Sequence, residues 1–295
     1  MGQRAAAFLF VTHAYQMIFN VDTALKRLLR PRPGRPPAVV TKAPRDPLRS
    51  LRPRMRLTLD LSRSRVEMKY GVAAEDVPAL LRRIHADERE DYDVRTLYFD
   101  RADGSLARRA FEDPLHCTKV RLRDYADGSP WVWFEVKTRE GRWTRKSRLQ
   151  LRRDDVARCL AGDVRVPGRA PAEGDIDARL FLDEARRGHL VAVGAVHATR
   201  LSFLLKKSLV RLTLDLEIAY HRPATAPFAG EASGMSGPLI RRESEPVLEL
   251  KHVGCLPPNC LELVDGLRPT NYSKFRSLVR CLSESGGVTG RVDRL

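Results

Sequence analysis

Six short segments of this chain alternate charged and apolar residues one by one, and in every one the charged set includes Lys or Arg. Successive side chains of a strand point to opposite faces, so each segment reads as a strand with one charged and one apolar face. In RVEMKY, Glu67 and Lys69 are in phase. Lys119, Arg121 and Arg123 are in phase in TKVRLRDY, Glu135 and Lys137 in WVWFEVKT, and Lys146 and Arg148 in RKSRLQL. Arg211, Thr213, Asp215 and Glu217 alternate with leucines in VRLTLDLEI, and VLELKH sets Glu249 and Lys251 against Leu248 and Leu250. A single strand of this kind is what any sheet with one wet face shows. Six such strands, rich in Lys and Arg, ask for more, because their apolar faces must also be covered.

An α+β fold meets both demands: an antiparallel closed β-barrel of about eight strands, with helices packed outside and a charged tunnel within. The eight strand segments are 65–72, 92–99, 118–125, 131–138, 143–151, 190–203, 209–218 and 247–252. Helical periodicity marks 75–86, 104–111, 176–187 and 272–282, and the Pro/Gly/Ser-rich run 220–246 reads as a long loop. A lumen lined by so many cations repels itself and calls for an anion. Carboxylates on the same faces (Glu67, Glu135, Asp215, Glu217, Glu249) offset part of that repulsion. They are also hard oxygen ligands of the kind Mg²⁺ or Mn²⁺ takes beside phosphates. Basic clamps with a carboxylate-held divalent ion suit phosphoryl transfer.

The chain divides by composition. Residues 1–56 hold 12 Lys and Arg against Asp22 and Asp46, with a Pro-rich stretch PRPGRPP followed by Pro44, Pro47 and Pro53. That is an extended basic arm, and the domain runs over 57–295. The arm admits two readings. Phe8, Leu9, Val11, Tyr15, Ile18 and Phe19 fit an interfacial helix that, with the arginines behind it, meets an anionic membrane surface. Alternatively, residues 1–54 precede a true start at Met55.

Five cysteines with no C-x-x-C pair point away from a disulfide scaffold or zinc site and toward a reducing cytoplasm. Phosphate-loop, dinucleotide, zinc-protease and serine-hydrolase signatures are all missing. Nucleic acid is disfavoured as partner of the body, whose basic residues alternate with acids and lack interleaved aromatics.

The order EMKY, RTLYFD (95–100), KVRLRDY, FEVKT, RKSR, VRLTLD, LELK and YSKF over residues 65–282 resembles the VTC-type polyphosphate polymerase domain of the triphosphate tunnel metalloenzyme, or CYTH-like, superfamily. The resemblance implies that Lys69, Arg121, Arg123, Lys137, Lys146, Arg200, Arg211, Lys251 and Lys274 hold phosphates along a tunnel. It further implies that Glu249 binds Mn²⁺ or Mg²⁺ and that Ser273 donates a hydroxyl. The implied activity transfers the terminal phosphoryl group of ATP onto inorganic polyphosphate. A triphosphatase or a non-catalytic polyphosphate-binding module on the same scaffold are the alternatives. In one respect the sequence departs from the pattern. Ala198, in HATR, stands where the family shows a tyrosine, and His197 is one residue out of phase with it.

Overall fold

The computed structural model describes residues 66–141, 143–161, 176–186, 189–225, 234–253 and 255–286. The basic arm, with both of its readings, lies outside the described residues. Each of the eight expected strands is present: β1 (Val66–Gly71), β2 (Glu88–Arg101), β3 (His116–Asp124), β4 (Trp131–Glu140), β5 (Trp143–Arg152), β6 (Leu190–Leu205), β7 (Val210–Pro223) and β9 (Val247–His252). Two more join them, β8 (Ser236–Arg242) inside the expected loop and the two-residue β10 (Arg268–Pro269). Among the described residues six helices accompany the sheet: α1 (Val77–Arg83), α2 (Ser105–Glu112), α3 (Val156–Ala161), α4 (Ile176–Arg186), α5 (Pro258–Val264) and α6 (Lys274–Glu284).

All ten strands belong to one antiparallel sheet in the order β10-β1-β9-β7-β6-β2-β3-β4-β5, with β8 on β7. The expected closure into a barrel is corrected here, for no ladder joins β5 to β1 or β10 among the described residues. The sheet curls nonetheless. Lys137 on β4 donates to Glu67 on β1 at 3.2 Å, although five strands separate the two along the sheet. The result is a trough with its edges apart, narrow enough for opposite walls to touch.

Alternation places the apolar faces outside, where two cores form. Leu97, Val120, Leu122, Val132, Phe134, Val136, Leu149 and Leu151 pack under α3 and α4. Tyr70, Leu201, Phe203, Leu212, Leu214, Leu248 and Leu250 pack with Val77, Leu80, Cys260 and Leu263 of α1 and α5. Burying a Leu or Phe side chain contributes about 1.5–3 kcal/mol, so these outer cores hold the curled sheet while its inner face is spent on charge.

A third core lies on the inner face. Val94, Tyr98, Val196, Ala198, Ile218 and Tyr220 receive Phe275, Leu278, Val279 and Leu282 of α6, so this helix packs into the trough. Gly194 makes that approach feasible: a Cβ there would stand 2.7 Å from the His221 carbonyl oxygen and 2.9 Å from a Leu278 methyl. Tyr220 is inside because β7 bulges. Glu217 adopts φ 49°, the register against β6 shifts between His197 and Thr199, and the alternation changes phase. Glu217 is therefore exposed, and does not join Asp215 inside as the unbroken alternation predicts. Asp100, the end of RTLYFD, accepts from the N–H groups of Arg101, Leu106 and Ala107, tying the start of α2 to β2.

Candidate functional site, a cation-lined trough

Register across the inner face sets charges side by side. Lys69 pairs with Glu249, Glu67 with Lys251, Lys251 with Arg211, and Glu249 with Thr213. On the other wall Arg121 pairs with Glu135, Glu135 with Arg148, and Lys119 with Lys137, which in turn pairs with Lys146. Three groups of contacts result.

The first joins two carboxylates. Glu67 lies 3.2 Å from Lys69, 3.2 Å from Lys137 and 3.9 Å from Lys251, and Glu249 is ion-paired to Lys251. Burial and the nearby Glu249 both resist ionisation of Glu67, yet Lys251, Lys137 and Lys69 outweigh them and lower its pKa to about 2. Glu249 is likewise held well below the usual range: burial opposes its charge, and Lys251 and Lys69 override that.

Glu135 is the centre of the second. Its side chain is 1% exposed, and it takes Arg121 at 2.8 Å, Arg123 at 3.8 Å and the ammonium of Lys146. Burial brings Lys146 down to about 7 despite that carboxylate, with Arg123 and Arg121 adding repulsion. Arg148, at the open edge, lays its guanidinium 4.6 Å over the Trp133 ring.

The third group joins the sheet to α6. Asp215 accepts from Arg200 at 2.6 and 2.8 Å and also from Lys274. Lys119 donates to Ser273 Oγ at 2.9 Å, and Lys69 to the Tyr272 carbonyl at 3.1 Å. Tyr272 is fixed in turn by Tyr220, whose hydroxyl lies 2.6 Å from that of Tyr272 and donates to Glu243 at 2.7 Å.

Thus the structure brings the residues singled out in the sequence onto one face: Lys69, Lys119, Arg121, Arg123, Lys137, Lys146, Arg200, Arg211 and Lys251 on strands, Ser273 and Lys274 at the start of α6. Of the three carboxylates considered for a metal, Glu67 and Glu249 are neighbours, whereas Glu135 serves a different set of cations. Among the described residues no three His, Cys, Asp or Glu side chains are grouped to hold an ion by themselves. Two adjoining carboxylates do suit a divalent ion that takes its remaining ligands from water and phosphate oxygens.

Cations outnumber carboxylates: eleven Lys and Arg, counting Arg148, share the inner face with Glu67, Glu135, Asp215 and Glu249 and, toward the start of β2, with Glu88 and Glu90. Several buried polar atoms on this face also lack a protein partner, namely Arg123 Nε, Arg211 Nε, Ser202 Oγ and Thr213 Oγ1. Buried donors are normally satisfied, so an inner face with unpartnered donors and excess cation is built to receive an anion rich in oxygen. A separate cavity of about 480 Å³ lies near α2 and the β4 end, lined by Arg101, Arg109, His116 and Arg139 among others. The Lys and Arg carboxylate groups just described take no part in it.

Thr213 lies on the charged face where alternation puts it, whereas Ser202 and Tyr272 were missed as members of the site. Ser202 sits in phase with Arg200, which alternation could have revealed; the Tyr220–Tyr272 contact depends on the bulge at Glu217 and carries no such signal. Ala198 is buried against α6 on the inner face, while His197 points to the other face, 2.5 Å from Ser236 Oγ and stacked on His221.

The VTC domain family model matches residues 47–283. No curated protein matches the chain significantly. Among solved structures, an adenylyl cyclase candidate from Hippeastrum with a dominant triphosphatase activity is 15% identical, covers 77% of this chain and 99% of its own, and has a TM-score of 0.43. An adenylate cyclase candidate from Bacillus halodurans is 13% identical over 77% of this chain and 94% of its own, with a TM-score of 0.40. The PH1819 protein from Pyrococcus horikoshii OT3 is 14% identical over 73% and 98%, at 0.39. Likenesses at this level say nothing about the substrate of this chain.

Proposed function

The chain belongs to the VTC domain family, and from that premise we propose that its trough binds ATP and inorganic polyphosphate and transfers the terminal phosphoryl group of ATP to the growing chain. The observation that carries this reading is the inner face itself: a row of lysines and arginines in excess over carboxylates, with buried donors that no protein group satisfies. A chain of phosphates supplies a negative charge and several acceptor oxygens per unit, matching a trough that repeats cations along its length.

Arg121, Arg123, Arg200 and Arg211 present planar guanidinium groups that hold phosphate oxygens in a fixed geometry. Lys69, Lys137 and Lys251 neutralise the negative charge spread over the transferring group. Ser273 and Lys274 meet the phosphates at the positive end of the α6 dipole. Glu249, with Glu67 beside it, would hold Mn²⁺ or Mg²⁺. That ion would supply further charge neutralisation of the bridging and terminal oxygens.

Among the described residues no helix is long and apolar enough to cross a membrane. Purified protein with ATP and Mn²⁺ tests the reading: long-chain polyphosphate is the expected product. Free phosphate alone would make the protein a triphosphatase, and retention of added polyphosphate with neither product would make it a binding module.

A further inference from the structure

Along β4 the inner face changes character: Lys137 and Glu135 give way to Trp133 and Trp131, in phase with them on the same strand. Register carries the change across the wall. Trp133 pairs with Arg123 of β3 on one side and with Gln150 of β5 on the other, one row beyond Arg121, Glu135 and Arg148. Tyr125, two residues past Arg123, meets Tyr92 edge-on with ring centroids 5.6 Å apart, and both rings lie against the inner-face core. One end of this wall is therefore aromatic where its middle is cationic.

Two donors in the Trp133 row have no protein acceptor. Arg123 Nε and Gln150 Nε2 are buried and unpartnered, on either side of the half-buried Trp133 ring. The ring is covered by a flat group, the Arg148 guanidinium, 4.6 Å from its centroid. A surface that takes a guanidinium at that distance also takes a nucleobase, which stacks on an aromatic ring through its π-face. A buried amide with nothing to donate to calls for an acceptor on the group that sits beside it. Phosphate answers the arginine and leaves the ring and the amide bare. A nucleobase answers both, with a flat face for Trp133 and ring nitrogens or a carbonyl for Gln150.

We propose that Trp133 and Gln150 form the pocket for the base of a nucleoside triphosphate, Trp133 by stacking on it and Gln150 by donating to an acceptor on its edge. The inference rests on the proposed function for the triphosphate in the trough, and deepens it by fixing which way the phosphoryl donor lies. With the base on Trp133, the phosphates run past Arg123 and Arg121 toward Lys137 and Lys119. Four residues of strand, about 13 Å, separate Trp133 from Lys137, which is room for a sugar and a short phosphate chain. Arg148 belongs to the row of Glu135, so a guanidinium displaced from the ring by the base rejoins the cations that hold phosphate. Polyphosphate has no base and gains nothing from this end. The pocket thereby tells the donor from the acceptor.

The test measures by calorimetry the affinity of the full chain, with Mg²⁺, for ATP and for ribose 5-triphosphate, which shares the sugar and the phosphates and lacks only the base. ATP should bind about tenfold or more tightly, the scale of one base stacked on an aromatic ring. Trp133→Leu should erase most of that ratio, and Trp133→Phe, which keeps a ring, should retain the larger part. Gln150→Leu should lower the ratio about two- to tenfold and narrow the differences among ATP, GTP and UTP. Should Trp133→Leu not fold, tryptophan fluorescence reads the same contact: ATP should quench it in the wild type, ribose 5-triphosphate should not, and the quenching should shrink in Trp133→Phe. A ratio near one in the wild type, an unchanged ratio in Trp133→Leu, or equal quenching by both ligands would overturn the inference, while polyphosphate made from ATP would then spare the proposed function. Binding of neither ligand would overturn both.

Discussion

Glu135 and Glu249 face the same trough from opposite walls, yet their surroundings differ in kind. Glu135 is 1% exposed and takes two guanidinium groups and an ammonium; Glu249 is 12% exposed and lies with Glu67 among lysines. Arginine does not deprotonate in a protein, so the Glu135 group is a permanent assembly that fixes Arg121 and Arg123 in place. The Glu67 and Glu249 group holds two carboxylates that repel one another through a shared set of ammonium groups. Such an arrangement can exchange partners. On the proposed reading, a divalent ion held by Glu67 and Glu249 would relieve the repulsion between them and free the lysines for phosphate. On that reading Glu135 serves the architecture and Glu249 the ligand.

The largest effect should come from Glu135→Gln. Removing one partner of a buried ion pair leaves the others uncompensated and costs about 3–5 kcal/mol. Urea denaturation should show a loss of that size, and an unchanged midpoint would mean the two arginines need no anchor. Glu249→Gln should behave in the opposite way. Its turnover should fall roughly 10²-fold, on the scale of removing one electrostatic stabiliser, with partial recovery as Mn²⁺ is raised. Its stability should change by only about 1 kcal/mol, because Glu67 remains to balance the lysines. Wild-type turnover at wild-type metal concentration would sink the assignment of Glu249.

How the two carboxylates differ could not be read from the sequence, where both are simply Glu in an alternating strand. Period-two alternation fixes the face of each side chain, and that much of the site was legible: Lys69, Arg121, Lys137, Arg211 and Lys251 share an interior because each is in phase on its strand. Contact across the trough was not legible. Lys137 finds Glu67 only because the sheet curls, and curl is a property of ten twisted strands together. Closure failed as an expectation for the same reason, since nothing local in β1 or β5 declares whether their edges meet. β8 was hidden because Pro and Gly in SGPLIRR argue against a strand, although an edge position tolerates both. Glu217 was misplaced because one bulge inverts the phase downstream.

A subtler contrast between the two walls appears when ligand is added. Polyphosphate at ten times its Kd should stabilise the folded state by about 1.4 kcal/mol, seen as a rise in melting temperature that shrinks with salt. Changing Arg121 and Arg123 together to Ala should lower the starting temperature and largely abolish the rise. A full rise in the double variant would place the anion away from the Glu135 wall.

The smallest expected effect is on pH, and here stability and affinity should move in opposite directions. Burial first, with neighbouring cations, brings Lys146 to about 7 and Lys119 and Lys274 to about 8, below the 10.5 of an exposed lysine. Below pH 7 these groups are charged whether the chain is folded or not, and the ligand-free folded state carries their full repulsion. As pH rises through 7 to 8 the folded state sheds protons that the unfolded chain keeps until about 10.5. The unfolded state then binds more protons, so ligand-free stability rises over this interval. A bound phosphate chain reverses the sense, since it favours the ammonium forms and its binding takes up protons. Affinity should therefore weaken as pH rises from 7 to 9, by up to about tenfold per unit for each proton taken up. Lys146→Arg, which carries its charge throughout, should flatten the Kd profile on the Glu135 side while Lys119 and Lys274 continue to titrate. Calorimetry in two buffers of different ionisation enthalpy measures the proton uptake directly. Zero uptake at pH 8 would mean that these lysines are charged with or without the chain, and that the Glu135 wall is as rigid in protonation as it is in structure.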